Sequence, residues 1–163
     1  MEFSFVLTAR HKQRERLGQL LELFPEEIGQ GGLDEAGLAA FLDRCAAINP
    51  TDGRAAGEEF IRTIDEDWGR GVSRQGSPLY IPEEMLVEVA FLTGSSGDEL
   101  FVEFVDFLYC LDPSLEIEAV GDYGDEPYGY RCWIENGEAC VEEGIFASPP
   151  TEEEAQERVP NYR

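Results

Sequence analysis

An Asn-Gly pair at 136–137 stands between two runs that alternate polar and apolar residues, Tyr128 to Ile134 and Glu138 to Glu142. A two-residue type I′ turn needs positive φ at both central positions, and Asn-Gly satisfies this with the least strain. The pair predicts an antiparallel hairpin and fixes its register, so that Glu135 faces Glu138, Trp133 faces Cys140 and Arg131 faces Glu142. Because side chains alternate across a strand, Tyr130, Cys132, Ile134, Ala139 and Val141 share the other face. That face is the expected core side. Trp133 is then left on a surface otherwise made of Arg131, Glu135, Glu138 and Glu142.

The rest of the chain reads by period. Phe3, Phe5 and Leu7 alternate as a half-buried strand of about six residues. Helical spacing follows from His11 to Phe24, where Pro25 ends it, then from Asp34 to Ile48, where Asn49-Pro50 ends it, and from Arg54 to Trp68. Residues 69–78, rich in Gly and Ser, read as a loop. Met85 to Leu92 is apolar on both sides and predicts a central strand buried on both faces. Ser95-Ser96 offers N-cap chemistry for a helix from Asp98 to Leu111, striped by Leu100, Phe104, Leu108 and Leu111, and Leu115 to Val120 alternates as a further strand. After Ser148-Pro-Pro, Thr151 is placed to cap one short helix.

The fold class is therefore α+β. An N-terminal strand and a helical portion (9–68) lead through the loop to an α+β portion (79–147), an antiparallel or mixed sheet with one helix packed on a face. An acidic tail spans 148–163. If strand 3–7 pairs with the later sheet, residues 1–163 make one compact domain.

Charge narrows the function. The chain has 35 acids, 12 bases and one histidine, for a net charge of -23. Residues 1–79 hold 14 acids and 9 bases, whereas residues 80–163 hold 21 acids and 3 bases. Direct nucleic-acid binding is disfavoured, since neutralising phosphates takes a basic surface. Hydrophobic residues at 42% argue against disorder throughout. No apolar run approaches the roughly 20 residues of a membrane-spanning helix, and Met1-Glu2-Phe3 does not open a signal peptide, so a cytoplasmic protein is expected. Cys45, Cys110, Cys132 and Cys140 form no CxxC pair, which excludes the usual zinc and thioredoxin patterns. Free thiols are expected, with Cys45 and Cys110 acting as small buried hydrophobes in their helices.

Catalysis has little support. His11 lies among Arg10, Lys12, Arg14 and Arg16 and reads as a solvated surface residue. No nucleophile motif, Walker A or Rossmann glycine pattern accompanies it. Asp122, Asp125 and Glu126 do not have EF-hand spacing and read as a solvated turn. No metal and no cofactor are expected.

The stretch from Met85 to Glu143 carries Leu115-Glu-Ile-Glu-Ala-Val, the loop Gly121-Asp-Tyr-Gly-Asp-Glu-Pro-Tyr-Gly and the hairpin Trp133-Ile-Glu-Asn-Gly-Glu138. It resembles the ferredoxin-like domain of small plasmid- and phage-borne bacterial proteins, although the tryptophan-containing N-terminal segment usual there is missing. The chain is also similar in size and acidity to small bacterial immunity proteins. That resemblance implies a cytoplasmic antidote, free of cofactors, that blocks the active site of a basic toxin, such as a secretion-system effector. The partner-binding residues would be Asp122, Tyr123, Asp125, Glu126, Tyr128, Arg131, Trp133, Glu135, Glu138 and Glu142, acids that speed encounter around aromatics that slow release. Three alternatives stay open: a phage or plasmid DNA mimic that inhibits a restriction or defence enzyme, a metabolic or regulatory binding role, and acidity that serves solubility alone.

Overall fold

The computed structural model describes residues 2–69, 71–124 and 126–145; the tail with Thr151, the loop residue Arg70 and the site candidate Asp125 lie outside the described residues. The strands are β1 (Phe3–Arg10), β2 (Glu27–Ile28), β3 (Val72–Arg74), β4 (Leu79–Ile81), β5 (Leu86–Thr93), β6 (Glu116–Asp122), β7 (Tyr128–Glu135) and β8 (Glu138–Ile145). The helices are α1 (Arg14–Leu21), α2 (Glu35–Ile48), α3 (Gly53–Arg62) and α4 (Gly97–Leu111). All strand pairs are antiparallel and build one sheet in the order β2-β3-β5-β1-β6-β7-β8, with β4 also paired to β5. The fold is α+β.

The N-terminal strand is the centre of the sheet. Phe5 pairs with Phe91 of β5 on one side and with Gly121 of β6 on the other. β1 runs three residues beyond Leu7, because Ala9 continues the buried phase and Arg10 still finds cross-strand partners in Leu86 and Glu116. Since β5 and β6 are both antiparallel to β1, they run parallel to each other without touching. The segment 85–143 thus closes into a sheet only through the first ten residues of the chain.

One face of the sheet is covered and the other is open. Phe3, Phe5, Leu7, Val89, Phe91, Ile117 and Ala119 point to the covered side and join the buried residues of all four helices in one core. Instead of the single packed helix expected, α4 lies on the strands and carries α3, through Phe60 stacked on Phe107 at 4.3 Å between ring centroids. α2 in turn packs on α3, where a side chain at Gly57 would stand 2.8 Å from the Cys45 sulfur. Aromatic rings continue inward, with Phe91 stacked on Phe5 at 5.2 Å and Phe104 edge-on to Phe5 at 5.1 Å. Burial pushes the Cys45 and Cys132 thiols up to about 12, so both are inert small hydrophobes at neutral pH. Cys110 differs from expectation: it occupies the solvent side of α4 and is exposed.

Several local expectations change with context. Asp34 caps α2 by accepting from the Gly37 N–H at 2.7 Å. Ser96 does not cap α4 with its side chain; it adopts φ of 69° and its carbonyl accepts from the Glu99 and Leu100 N–H groups. The helix from Arg54 stops being α at Arg62 and continues as a π-helical turn, Thr63–Trp68, ended by Gly69 at φ of 59°. The expected loop 69–78 contains β3, anchored by a fully buried Val72 opposite Thr93. On the second side of β5 Leu86 is buried as expected, whereas Glu88, Ala90 and Leu92 are only half-buried, because they belong to the open face.

Phe3 needs the space that glycine leaves. A Cβ at Gly121 would lie 2.6 Å from Phe3 Cζ and 2.7 Å from Phe5 Cβ. Gly121→Ala is expected to destabilise the fold by about 1–3 kcal/mol, the usual cost of overpacking. Urea unfolding should show a lower midpoint at constant slope, and an unchanged midpoint would mean that Phe3 is free to move aside.

Candidate partner-binding face

On the open side of β6, β7 and β8 the register builds two rows of side chains. One crosses Thr8, Glu118, Trp133 and Cys140, and the next crosses Val6, Val120, Arg131 and Glu142. The hairpin pairs Glu135 with Glu138, Trp133 with Cys140 and Arg131 with Glu142, as the Asn136-Gly137 turn dictates. Arg131 nevertheless turns away from Glu142. Its guanidinium reaches diagonally to Glu118 Oε2 at 3.1 Å and lies over the Trp133 indole, 4.6 Å from the ring centroid. This ion pair and cation–π contact hold a half-buried tryptophan in one orientation. Beside it the end of the sheet forms a depression of about 390 Å³, walled by Arg10, Glu116, Glu118, Arg131 and Trp133 among others.

The open face is acidic as well as partly apolar. Glu88, Glu116, Glu118, Asp122, Glu135, Glu138 and Glu142 lie on it against Arg10 and Arg131. Val6, 39% exposed, and Leu79, 58% exposed, add apolar surface. Glu135 and Glu138 are both exposed and face one another across the last pair of the hairpin, an arrangement that costs stability.

Of the ten residues expected to bind a partner, the nine that are described separate into two groups. Arg131, Trp133, Glu135, Glu138 and Glu142 share the open face near the turn. Asp122, Tyr123, Glu126 and Tyr128 lie toward the other end of β7: Asp122 pairs with Gly129, two residues along from Arg131, whereas Tyr128 is seven residues from Glu135, roughly 24 Å at 3.4 Å per residue. Asp122 is on the open face, and its carboxylate accepts from the Gly124 N–H at 2.8 Å. Tyr123 is committed to the fold: its ring stands edge-on to Phe3 at 5.0 Å and its hydroxyl donates to Asp98 Oδ1. Burial and that bond push the Tyr123 hydroxyl up to about 12. Tyr128 points to the helix side of the sheet. Val141, expected in the core, is 48% exposed there, because β8 is the last strand and reaches beyond the cover of α4.

A second polar cluster has no signal in the sequence. His11, far from being a freely solvated residue, has a side chain only 11% exposed. Its Nδ1 accepts from the Gln13 N–H at 3.0 Å, which leaves Nε2 to donate to Ser114 Oγ at 3.0 Å. Ser114 Oγ donates to Asp112 Oδ1 at 2.5 Å, and Arg16 Nε stands 2.8 Å from Asp112 Oδ2, too oblique for a hydrogen bond. The polarity is opposite to that of a nucleophile and its base, since the imidazole offers a proton to the serine and takes none from it. The cluster ties the β1–α1 connection to the α4–β6 connection across about a hundred residues. It borders a cavity of about 470 Å³ lined by Arg10, Lys12, Met85 and Glu116 among others. Among the described residues no three metal-ligating side chains converge, and no helix is long and apolar enough to cross a membrane.

Burial alone would raise the Asp112 carboxyl, but the Ser114 hydroxyl and N–H and the charge of Arg16 outweigh it and hold the group below the ordinary carboxylate range. A lowered folded value means that this stabilisation is fully present above the unfolded pKa, near 3.9, and is lost as pH falls through the folded value. Asp112→Asn should cost about 1–2 kcal/mol at pH 7. The gap between the two proteins in urea unfolding should close below pH 4, and a constant gap would assign the effect to shape and not charge.

No protein-family model matches this chain, and comparisons with curated proteins and with solved structures find no significant match, so its site is read from its own geometry.

Proposed function

We propose that this chain acts by binding, without catalysis or cofactor, and that the open face of β6, β7 and β8 docks on an electropositive protein surface. The partner we infer is a bacterial toxin, whose active site the chain occludes as its cytoplasmic immunity protein. The observation that carries this reading is a tryptophan fixed by Arg131 and Glu118 on an uncovered sheet face where acids outnumber bases. Acids around a pre-oriented aromatic divide the work of recognition: long-range charge raises the rate of encounter, and burial of the indole slows departure. The unfavourable Glu135 and Glu138 pair supports the same reading, because a partner's base would relieve a repulsion that the free fold tolerates. The kinship with ferredoxin-like plasmid and phage proteins is part of this proposal. It draws support from the β5–α4–β6 unit, in which β1 separates two parallel strands as in a split β-α-β arrangement.

Capture by the tagged chain from its host, with measured stoichiometry, tests the proposal. One equimolar toxin, released only by high salt or denaturant, is the expected result. A restriction or DNA-processing enzyme that duplex DNA competes away would replace the antidote with a DNA mimic, and an empty bait would return the acidity to solubility. With the partner in hand, Trp133→Ala should weaken binding by about 2 kcal/mol in calorimetry. Unchanged affinity would remove that residue from the interface. Glu138→Lys should act in opposite directions, stabilising the free fold by about 0.5 kcal/mol through its new pairing with Glu135 while slowing association and flattening its dependence on salt. Association rates that ignore ionic strength would defeat the electrostatic part of the account.

A further inference from the structure

β8 ends the sheet, and among the described residues nothing pairs with its outer edge. A two-residue turn closes on a hydrogen-bonded pair, here Glu135 with Glu138, and such pairs alternate along an antiparallel ladder. Cys140 and Glu142 therefore bond inward to β7, while Ala139, Val141 and Glu143 direct their N–H and C=O groups outward. The strand is eight residues long and its register against β7 is unbroken by a bulge. It contains no proline and no lysine. Natural edge strands are shielded by such devices or by short length, and this one has only its acids.

Those acids select what the edge accepts. Pairing of β8 with its own copy would bring Glu138, Glu142 and Glu143 against the same residues, on chains that each carry a net charge of -23. A strand bearing bases meets the opposite condition. On the helix side, Val141 is 48% exposed, apolar surface at the strand edge that α4 leaves uncovered, and Glu143 follows it two residues along on the same side. The edge is also continuous with the face proposed above, since Cys140 and Glu142 lie directly across from Trp133 and Arg131.

We propose that β8 accepts an extended segment of the basic protein partner as an added strand, with basic side chains beside Glu138 and Glu142 on the open face and an apolar side chain against Val141 on the other. Main-chain hydrogen bonds would supply affinity, and the alternation of charge and apolar contact would supply selectivity. This deepens the docking reading and rests on it.

Amide hydrogen exchange on the full chain, followed residue by residue by NMR, tests the proposal with a synthetic peptide of about ten residues alternating lysine and valine. In the free protein the Ala139, Val141 and Glu143 amides should exchange fast and those of Cys140 and Glu142 slowly. Saturating peptide should slow the three outward amides roughly tenfold or more, and a glutamate–valine peptide should not. Val141→Pro deletes an N–H that bonds nothing within the sheet, so the fold should persist while the slowing at Ala139 and Glu143 disappears. Should that variant lose its fold, Glu142→Lys serves in its place and should weaken the lysine peptide about tenfold. Outward amides already slow in the free chain, a lysine peptide that protects none of them, or equal binding by Val141→Pro would each overturn the inference. Loss of toxin binding in Trp133→Ala beside full toxin binding in a folded Val141→Pro would refute the added strand alone and leave the docking face standing.

Discussion

The packing of Phe3 and Phe5 beneath α4 is the contact on which the remaining structure depends. These two residues place β1 between β5 and β6, and among the described residues β1 is the strand that links those two within the sheet. Phe3 meets Phe101 and Tyr123, while Phe5 meets Phe91, Phe101 and Phe104, so the first strand, the central helix and the β6–β7 loop share one aromatic cluster. Gly97 and Gly121 provide the room, as a Cβ at either would collide with Phe3. The cost of ordering a chain from end to end is offset by apolar burial that is contiguous from β1 to α2.

One consequence is that the two faces of the sheet have different tasks. All four helices contribute to the layer on one side, so the other side is left to the solvent with Val6, Val120 and Trp133 among its acids. A protein of net charge -23 experiences self-repulsion on compaction. Eight of the 21 acids of residues 80–163 lie on strands β5 to β8, and all of these but Glu143 share the open face with Arg10 and Arg131. On that face the Arg131–Glu118 pair holds the aromatic side chain of Trp133 in place.

Much of this was legible in the sequence where the physics is local. Asn136-Gly137 determines its own turn geometry, so every cross-strand pair of the hairpin could be written down, including Trp133 with Cys140. The stripe Leu100, Phe104, Leu108 and Leu111 is buried as the helical period requires. What could not be read depends on distant residues. β2 and β3 have two and three residues, too few to show a period, and exist because β5 offers β3 an edge and β3 in turn offers one to β2. Tyr123 looks like a surface aromatic in an acidic loop until Phe3 and Asp98 arrive to cover it. His11 is 101 positions from Asp112 and 103 from Ser114, and only the closure of the sheet brings them together. Exposure of Val141 likewise depends on where α4 stops covering the strands.

The proposed function requires Trp133 to stand in an acidic field on a face that a partner covers. In a Trp68→Phe chain, Trp133 is the only tryptophan, and its fluorescence can be quenched by caesium and by iodide before and after the captured partner is added. Caesium should quench the free protein more strongly than iodide at equal ionic strength, and the partner should suppress both. Equal quenching by the two ions in the free chain, or a tryptophan that remains fully accessible in the complex, would contradict the proposed function.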